Sequence, residues 1–232
     1  MTGMVDAGAP DMRAAEMRAA DVTAAWQLSL TGDDAPRPAA AVPVRRGLTG
    51  GAWIEHAPGW LAGADRVMAE LVDRAPWKQR QRPMYDRQVV EPRLTAWWSL
   101  NPDGGASRPS EGAGLECLPP VLLESAGLLA GRYGVDIDSI GANLYRDGRD
   151  SVAWHGDTIR HSLAEAVVAI VSLGQPRPLL LRPTGGGRSL RFVLGGGDLF
   201  VMGGTAQRTW QHSVPKTRSA GARISVTYRH SR

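Results

Sequence analysis

The stretch DSIGANLYRDGRDSVAWHGD, residues 138–157, decides how this chain is read. Its first part alternates. Ile140, Ala142 and Leu144 interleave with Gly141, Asn143 and Tyr145, the period of two that gives a strand two different faces. Asp147-Gly148 follows as a hairpin turn signal. Ser151–His155 then resumes an extended pattern. At its end His155 and Asp157 stand two apart. On an extended strand both side chains point to the same side and can reach one metal ion.

Toward the C-terminus the strand signal continues. Ala166–Leu173, Leu179–Arg182, Ser189–Leu194, Asp198–Met202 and Ala222–His230 are short apolar or alternating runs. Gly and Pro separate several of them, which predicts a β-sandwich or barrel. The glycine triplets at 185–187 and 195–197 read as turns, because neither phosphate-loop pattern is present. Toward the N-terminus the spacing predicts a helix over 61–74 and another over about 119–133, opened by Pro119-Pro120 and closed by Gly134. Between them, 76–93 is basic and aromatic, and 101–114 is a loop rich in Gly, Ser and Pro. Residues 1–45 are rich in Ala and Pro and read as a flexible extension. Residues 46–232 form a single domain, with a helical and substrate-recognition part at 46–135 and a β core at 136–232.

The 232 residues are enough to bury a core without covalent staples. Hydrophobic residues at 43% and charged residues at 22% exclude wholesale disorder. The single cysteine, Cys117, excludes an intrachain disulfide and a cysteine metal cluster, and fits a reducing, cytoplasmic compartment. No apolar run reaches the roughly 18 residues of a membrane helix. The net charge of +4 permits nucleic-acid binding without requiring it.

His212 lies several strands beyond Asp157, where a barrel can bring it back. Two histidines and one carboxylate form the facial triad of non-haem iron(II) sites. The same three residues also read as polar groups at strand ends. The last strand adds weight: Arg223, Ser225, Thr227 and Arg229 share one face. Inside a barrel its two guanidinium groups need anionic partners, and a small dicarboxylate supplies two charges. Asn143 and Tyr145 share a face and offer an amide and a phenol to such an acid.

Asn143–Gly148 with Asp150–Asp157 resembles the metal-site segment of the AlkB family of dioxygenases. Trp210–Pro215 resembles its second-histidine segment, Arg223 and Arg229 its terminal arginine motif, and Pro92–Trp97 the start of its substrate-facing region in the nucleic-acid-repair branch. The resemblance implies a double-stranded β-helix, or jelly roll, mainly β with flanking helices. It implies Fe(II) held by His155, Asp157 and His212, with 2-oxoglutarate and O2 as co-substrates. Arg223 and Tyr145 then hold the far carboxylate of 2-oxoglutarate. Arg229 and Asn143 lie near its metal-bound end, supported by Thr227. The implied reaction removes a methyl group from an alkylated base in DNA or RNA, DNA first, giving formaldehyde, succinate and CO2. The protein is expected to act as a monomer.

Trp97 or Trp98 is expected to stack on the base, and Arg80, Arg82 and Arg87 to grip phosphate. Three departures stand out. Ser225 replaces a frequent Asn, Thr158 and Ile159 follow Asp157 where repair enzymes carry acids, and the 101–114 loop lacks an aromatic. The alternatives are a related hydroxylase or demethylase acting on RNA, protein or a small molecule, and a non-catalytic nucleic-acid binder of the same fold.

Overall fold

The structure, a computed structural model, describes residues 35–39, 43–84, 87–100, 114–159 and 163–230, with the side chains of residues 82–87 outside that description. Its main body is two antiparallel sheets face to face. The larger contains, in spatial order, β2 (Val44–Gly47), β3 (Ala52–Ala57), β13 (Leu199–Gly204), β10 (Val168–Gly174), β15 (Arg223–Arg229), β8 (Ser139–Tyr145) and β7 (Leu94–Ser99). The smaller contains β12 (Leu190–Leu194), β11 (Arg177–Pro183), β14 (Trp210–Val214) and β9 (Val152–His155). Two short ladders complete the set: β1 (Arg37–Pro38) with β4 (Leu61–Ala62), and β5 (Gln81–Met84) with β6 (Arg87–Val90).

The alternation read from the sequence becomes two different packing layers. Ile54, Val168, Ile170, Phe200 and Met202 of the larger sheet meet Leu179, Leu181, Leu194, Trp210 and Val214 of the smaller one in a single buried cluster. The other face of the larger sheet buries Ile224, Val226 and Tyr228 of β15 and Ile140, Ala142 and Leu144 of β8. Helix α1 (Ala64–Arg74) lies against β10, with Val67, Met68 and Leu71 buried. Each such side chain contributes about 1.5–3 kcal/mol by leaving water, far more than helix propensity supplies. Helix α2 (Pro120–Tyr133) buries Val121, Leu122, Ala126 and Leu129, and the phenol of its last residue, Tyr133, donates to Glu55 of β3 at 2.7 Å. The double-stranded β-helix expected from the sequence is the fold observed.

Local backbone chemistry decides where the first helix begins and ends and where the chain goes after β8. The first helix starts at Ala64 rather than 61, because Gly63 takes a left-handed φ of 68° and leaves Leu61–Ala62 to pair with β1. It ends at Arg74 as expected, because Ala75, before Pro76, is held extended. The turn at Asp147-Gly148 closes no hairpin. Both edges of β8 are already paired, by β15 and β7, so the chain crosses to the smaller sheet and β9 pairs with β14. Most of the extension expected over 1–45 lies outside the described residues. Of the remainder, Arg37–Pro38 and Val44–Arg45 sit in ladders of the folded body.

Candidate metal and co-substrate site

His155 and His212 face each other directly across the β9–β14 ladder, with ring centroids 4.2 Å apart. Asp157 lies two residues past the end of β9, and its Oδ2 is 3.6 Å from His212 Nε2. One ligand atom from each of the three residues lies within 4.8 Å of the others. Distant sequence positions are thus joined by a single strand pairing.

Neighbouring groups aim the ligands and set the charge of Asp157 and His212. His155 Nδ1 stands 2.9 Å from the carbonyl of Ala153; donating there leaves Nε2 as the free lone pair. The Asp157 backbone N–H donates to Gln207 Oε1 at 2.8 Å, from the short helix α3 (Ala206–Thr209). Burial alone would raise the Asp157 carboxyl. The charge of Arg229, with smaller contributions from His212 and His155, instead holds it at about 2. Arg229 Nε and one terminal nitrogen lie 3.0 and 2.9 Å from Asp157 Oδ1. Burial lowers His212 to about 4 against the pull of Asp157. At neutral pH the cluster therefore holds a neutral His212 and an ionised carboxylate, the donor forms a divalent ion needs. Asp157 Oδ2 is buried with no hydrogen-bond partner among the described residues, an orphaned acceptor that a cation would satisfy.

The strand register assembles the second half of the site. On β15 and β8, Arg223 stands opposite Tyr145, Ser225 opposite Asn143 and Thr227 opposite Gly141. Arg223, Ser225 and Thr227 are buried on the face turned toward the smaller sheet. Arg223 Nε donates to Ser172 Oγ at 3.0 Å, while its Nη1 has no partner among the described residues. Burial lowers this guanidinium to about 10, with Tyr145 opposing and Arg177 reinforcing the shift, so it stays charged at pH 7. Its carbon lies 5.4 Å from the centre of the Tyr145 ring. Burial raises the Tyr145 phenol, so it stays neutral. A buried cation with an unused donor fits a carboxylate. Asn143 Oδ1 accepts from Arg93 Nε at 3.2 Å.

The expected substrate residues divide. Trp97 is half-buried and its ring lies 4.9 Å from the Arg229 guanidinium, beside the metal cluster. Gly141 makes this possible: a Cβ there would lie 2.7 Å from Arg229 Nη1 and 3.0 Å from the Trp97 ring. Trp98 is 0% exposed. That corrects its assignment as a stacking surface, since neighbouring residues on a strand face opposite ways and Trp98 falls on the buried apolar side of β7. Arg80 is half-buried just before β5, and the side chains of Arg82 and Arg87 lie outside the described residues, as does nearly all of the 101–114 loop. Sequence reasoning missed Gln207, Arg93 and Arg177. They act on backbone or side-chain groups far away in the chain, so no local spacing announces them.

Comparison with known proteins agrees with this geometry. The chain is 35% identical over 183 residues to "Alpha-ketoglutarate-dependent dioxygenase alkB homolog 3" of Bos taurus, covering 73% of this chain and 62% of the relative. It is 34% identical over 120 residues to "DNA oxidative demethylase ALKBH2" of Arabidopsis thaliana, covering 41% of this chain and 38% of the relative. The chain thus spans less than two thirds of the length of these curated relatives. A prolyl hydroxylase from Trichoplax adhaerens, solved with a hypoxia-inducible-factor peptide, shares the fold at a TM-score of 0.54 and 14% identity, covering 79% of this chain and 84% of that one. The pattern of the 2OG-Fe(II) oxygenase superfamily matches residues 55–229, most of the chain including all three candidate ligands. The chain belongs to the 2OG-Fe(II) oxygenase superfamily, whose members use Fe(II), 2-oxoglutarate and O2, and is homologous to AlkB-type dioxygenases.

Proposed function

We propose that this protein is an oxidative demethylase of alkylated bases in nucleic acid, DNA first. Bound iron, 2-oxoglutarate and O2 supply the oxidising power, and the protein supplies position and charge. His155, Asp157 and His212 hold the ion. Arg223 and Tyr145 receive the far carboxylate of 2-oxoglutarate. Arg229 keeps Asp157 ionised and aimed. Asn143 and Thr227 complete the polar wall near the metal-bound end. Oxidation of an N-methyl group leaves a carbon that departs as formaldehyde, while the co-substrate becomes succinate and CO2.

The observation that carries the nucleobase reading is Trp97. A half-buried indole beside the metal cluster is a flat surface on which an extruded base can stack, an interaction contributing roughly 1–3 kcal/mol. The basic hairpin of β5 and β6 is the adjoining candidate for phosphate. The Arabidopsis thaliana relative, a DNA oxidative demethylase, supports the same reading. One feature favours a second reading, a related oxygenase acting on RNA, protein or a small molecule: Thr158 and Ile159 follow Asp157 without an acid to recognise a base. We place the protein as a monomer in the cytoplasm, consistent with its single cysteine, Cys117. No helix among the described residues is long and apolar enough to cross a membrane.

The test is mass spectrometry of a mixed set of methylated DNA and RNA oligonucleotides, incubated with iron, ascorbate and 2-oxoglutarate. Loss of one methyl mass from the DNA set supports the proposal. Methyl loss confined to the RNA set, or succinate production with every oligonucleotide unchanged, would sink it in favour of the second reading.

A further inference from the structure

Arg177, the first residue of β11, is 1% exposed, and the metal and co-substrate assignments do not use it. Nη1 donates to the carbonyl of Asp147 at 2.8 Å, and Nη2 to the carbonyls of Asp150 and Pro215, both at 2.9 Å. Its Nε has no partner among the described residues. All three acceptors are neutral. The nearby carboxylates are engaged elsewhere: Asp150 takes the backbone N–H and guanidinium of Arg146, and Asp147 takes Arg149. No described carboxylate accepts a hydrogen bond from Arg177. The guanidinium carbon lies 5.7 Å from the centre of the Tyr145 ring, and Arg223 lies 5.4 Å from the same ring. Among the described residues Arg223 likewise has no anionic partner, and its Nη1 is unused. Two buried guanidinium groups beside one neutral phenol are costly to fold unless an anion joins them.

We infer that Arg177 is a positioning residue that supplies a second positive charge to the Tyr145–Arg223 end of the site, and so makes it select a keto acid with a far carboxylate. Three carbonyls fix that charge in place. Two belong to the turn between β8 and β9, and the third follows β14, so the same side chain ties together the strands that carry Tyr145, His155 and His212. The inference rests on Arg223 and Tyr145 receiving the far carboxylate.

The experiment measures equilibrium binding, without oxygen, of 2-oxoglutarate and of 2-oxopentanoate to the Mn(II)-loaded full chain. The two acids differ only in the far carboxylate. Mn(II) binding alone is measured in parallel. The wild type should prefer 2-oxoglutarate strongly. Arg177→Met and Arg177→Gln should each lower that preference by about tenfold or more while Mn(II) affinity stays within about threefold. Arg177→Lys, which keeps the charge, should restore most of the preference. Arg177→Gln keeps donors for the carbonyls and stands in if the Met variant fails to fold. Neutral variants with the wild-type preference would overturn the inference, as would an Arg177→Lys variant no better than Arg177→Gln. A wild type with no preference between the two acids would instead overturn the placement of the far carboxylate at Arg223 and Tyr145.

Discussion

Asp157 is the residue on which the metal site turns, because it is the anionic ligand and Arg229 sets its charge. Substituting His155, Asp157 or His212 by Ala should abolish turnover and reduce iron affinity at least about a hundredfold with the fold retained, checked by metal titration and circular dichroism. Wild-type-like oxidation by any one variant would remove that residue from the site. His212 also links the metal-free protein to pH. Its folded value of about 4 lies below the ordinary 6.5, so between those values the unfolded chain binds a proton that the folded chain does not. Stability of the metal-free protein should therefore fall as pH drops from about 6.5 to about 4, by about 3 kcal/mol in all. Asp157, held at about 2, adds a further loss only below its ordinary 3.8. Urea midpoints at pH 7 and pH 5 read the first effect, and a His212→Gln variant with an unchanged slope would contradict it. The His-x-Asp pair was legible in the sequence because two-residue spacing alone puts both side chains on one side of a strand. The pairing of His155 with His212 was not, since it depends on β14 returning beside β9.

At the scale of the strand, β15 and β8 were the most legible elements. Alternation separated Ile224, Val226 and Tyr228 from Arg223, Ser225, Thr227 and Arg229, and the structure puts the first set in the outer layer and the second on the face toward the smaller sheet. The turn after β8 was misread because a turn signal states that the chain reverses, not which sheet it enters. The contacts that settle its course, Arg177 to two turn carbonyls and Arg146 to Asp150, leave no pattern in the sequence. Gly141 shows how one strand position couples the layers. Gly141→Ala should leave the β7–β8–β15 ladder intact but push Arg229 away from Asp157, since the added carbon would lie 2.7 Å from Arg229 Nη1. The cost should be about 1–3 kcal/mol of stability, with Mn(II) affinity reduced about tenfold. An alanine variant that binds Mn(II) as the wild type does would mean that Arg229 can yield without disturbing Asp157.

At the scale of the whole molecule, substrate grip should separate from chemistry. The hairpin of β5 and β6 carries Arg82 opposite Val89 and Arg87 opposite Met84, with Arg80 just before it. It precedes β7, which holds Trp97 beside the Arg229–Asp157 pair. Charge reversal at Arg80, Arg82 and Arg87 together should weaken binding to methylated oligonucleotides of every sequence. It should also flatten the salt dependence, because each lost phosphate contact removes about one released counterion. Conversion of 2-oxoglutarate without nucleic acid should change little, since Arg223, Tyr145 and the metal ligands lie on other strands. Trp97→Ala should fail in the opposite way. Phosphate contacts survive, but the base loses its stacking surface, so turnover should fall more than binding, by roughly one to two orders of magnitude. Fluorescence anisotropy across a salt series reads the first effect, and single-turnover kinetics the second. A charge-reversed variant with the wild-type salt slope would place nucleic acid elsewhere on the protein, or shift the substrate to the small-molecule or protein reading that Thr158 and Ile159 keep open.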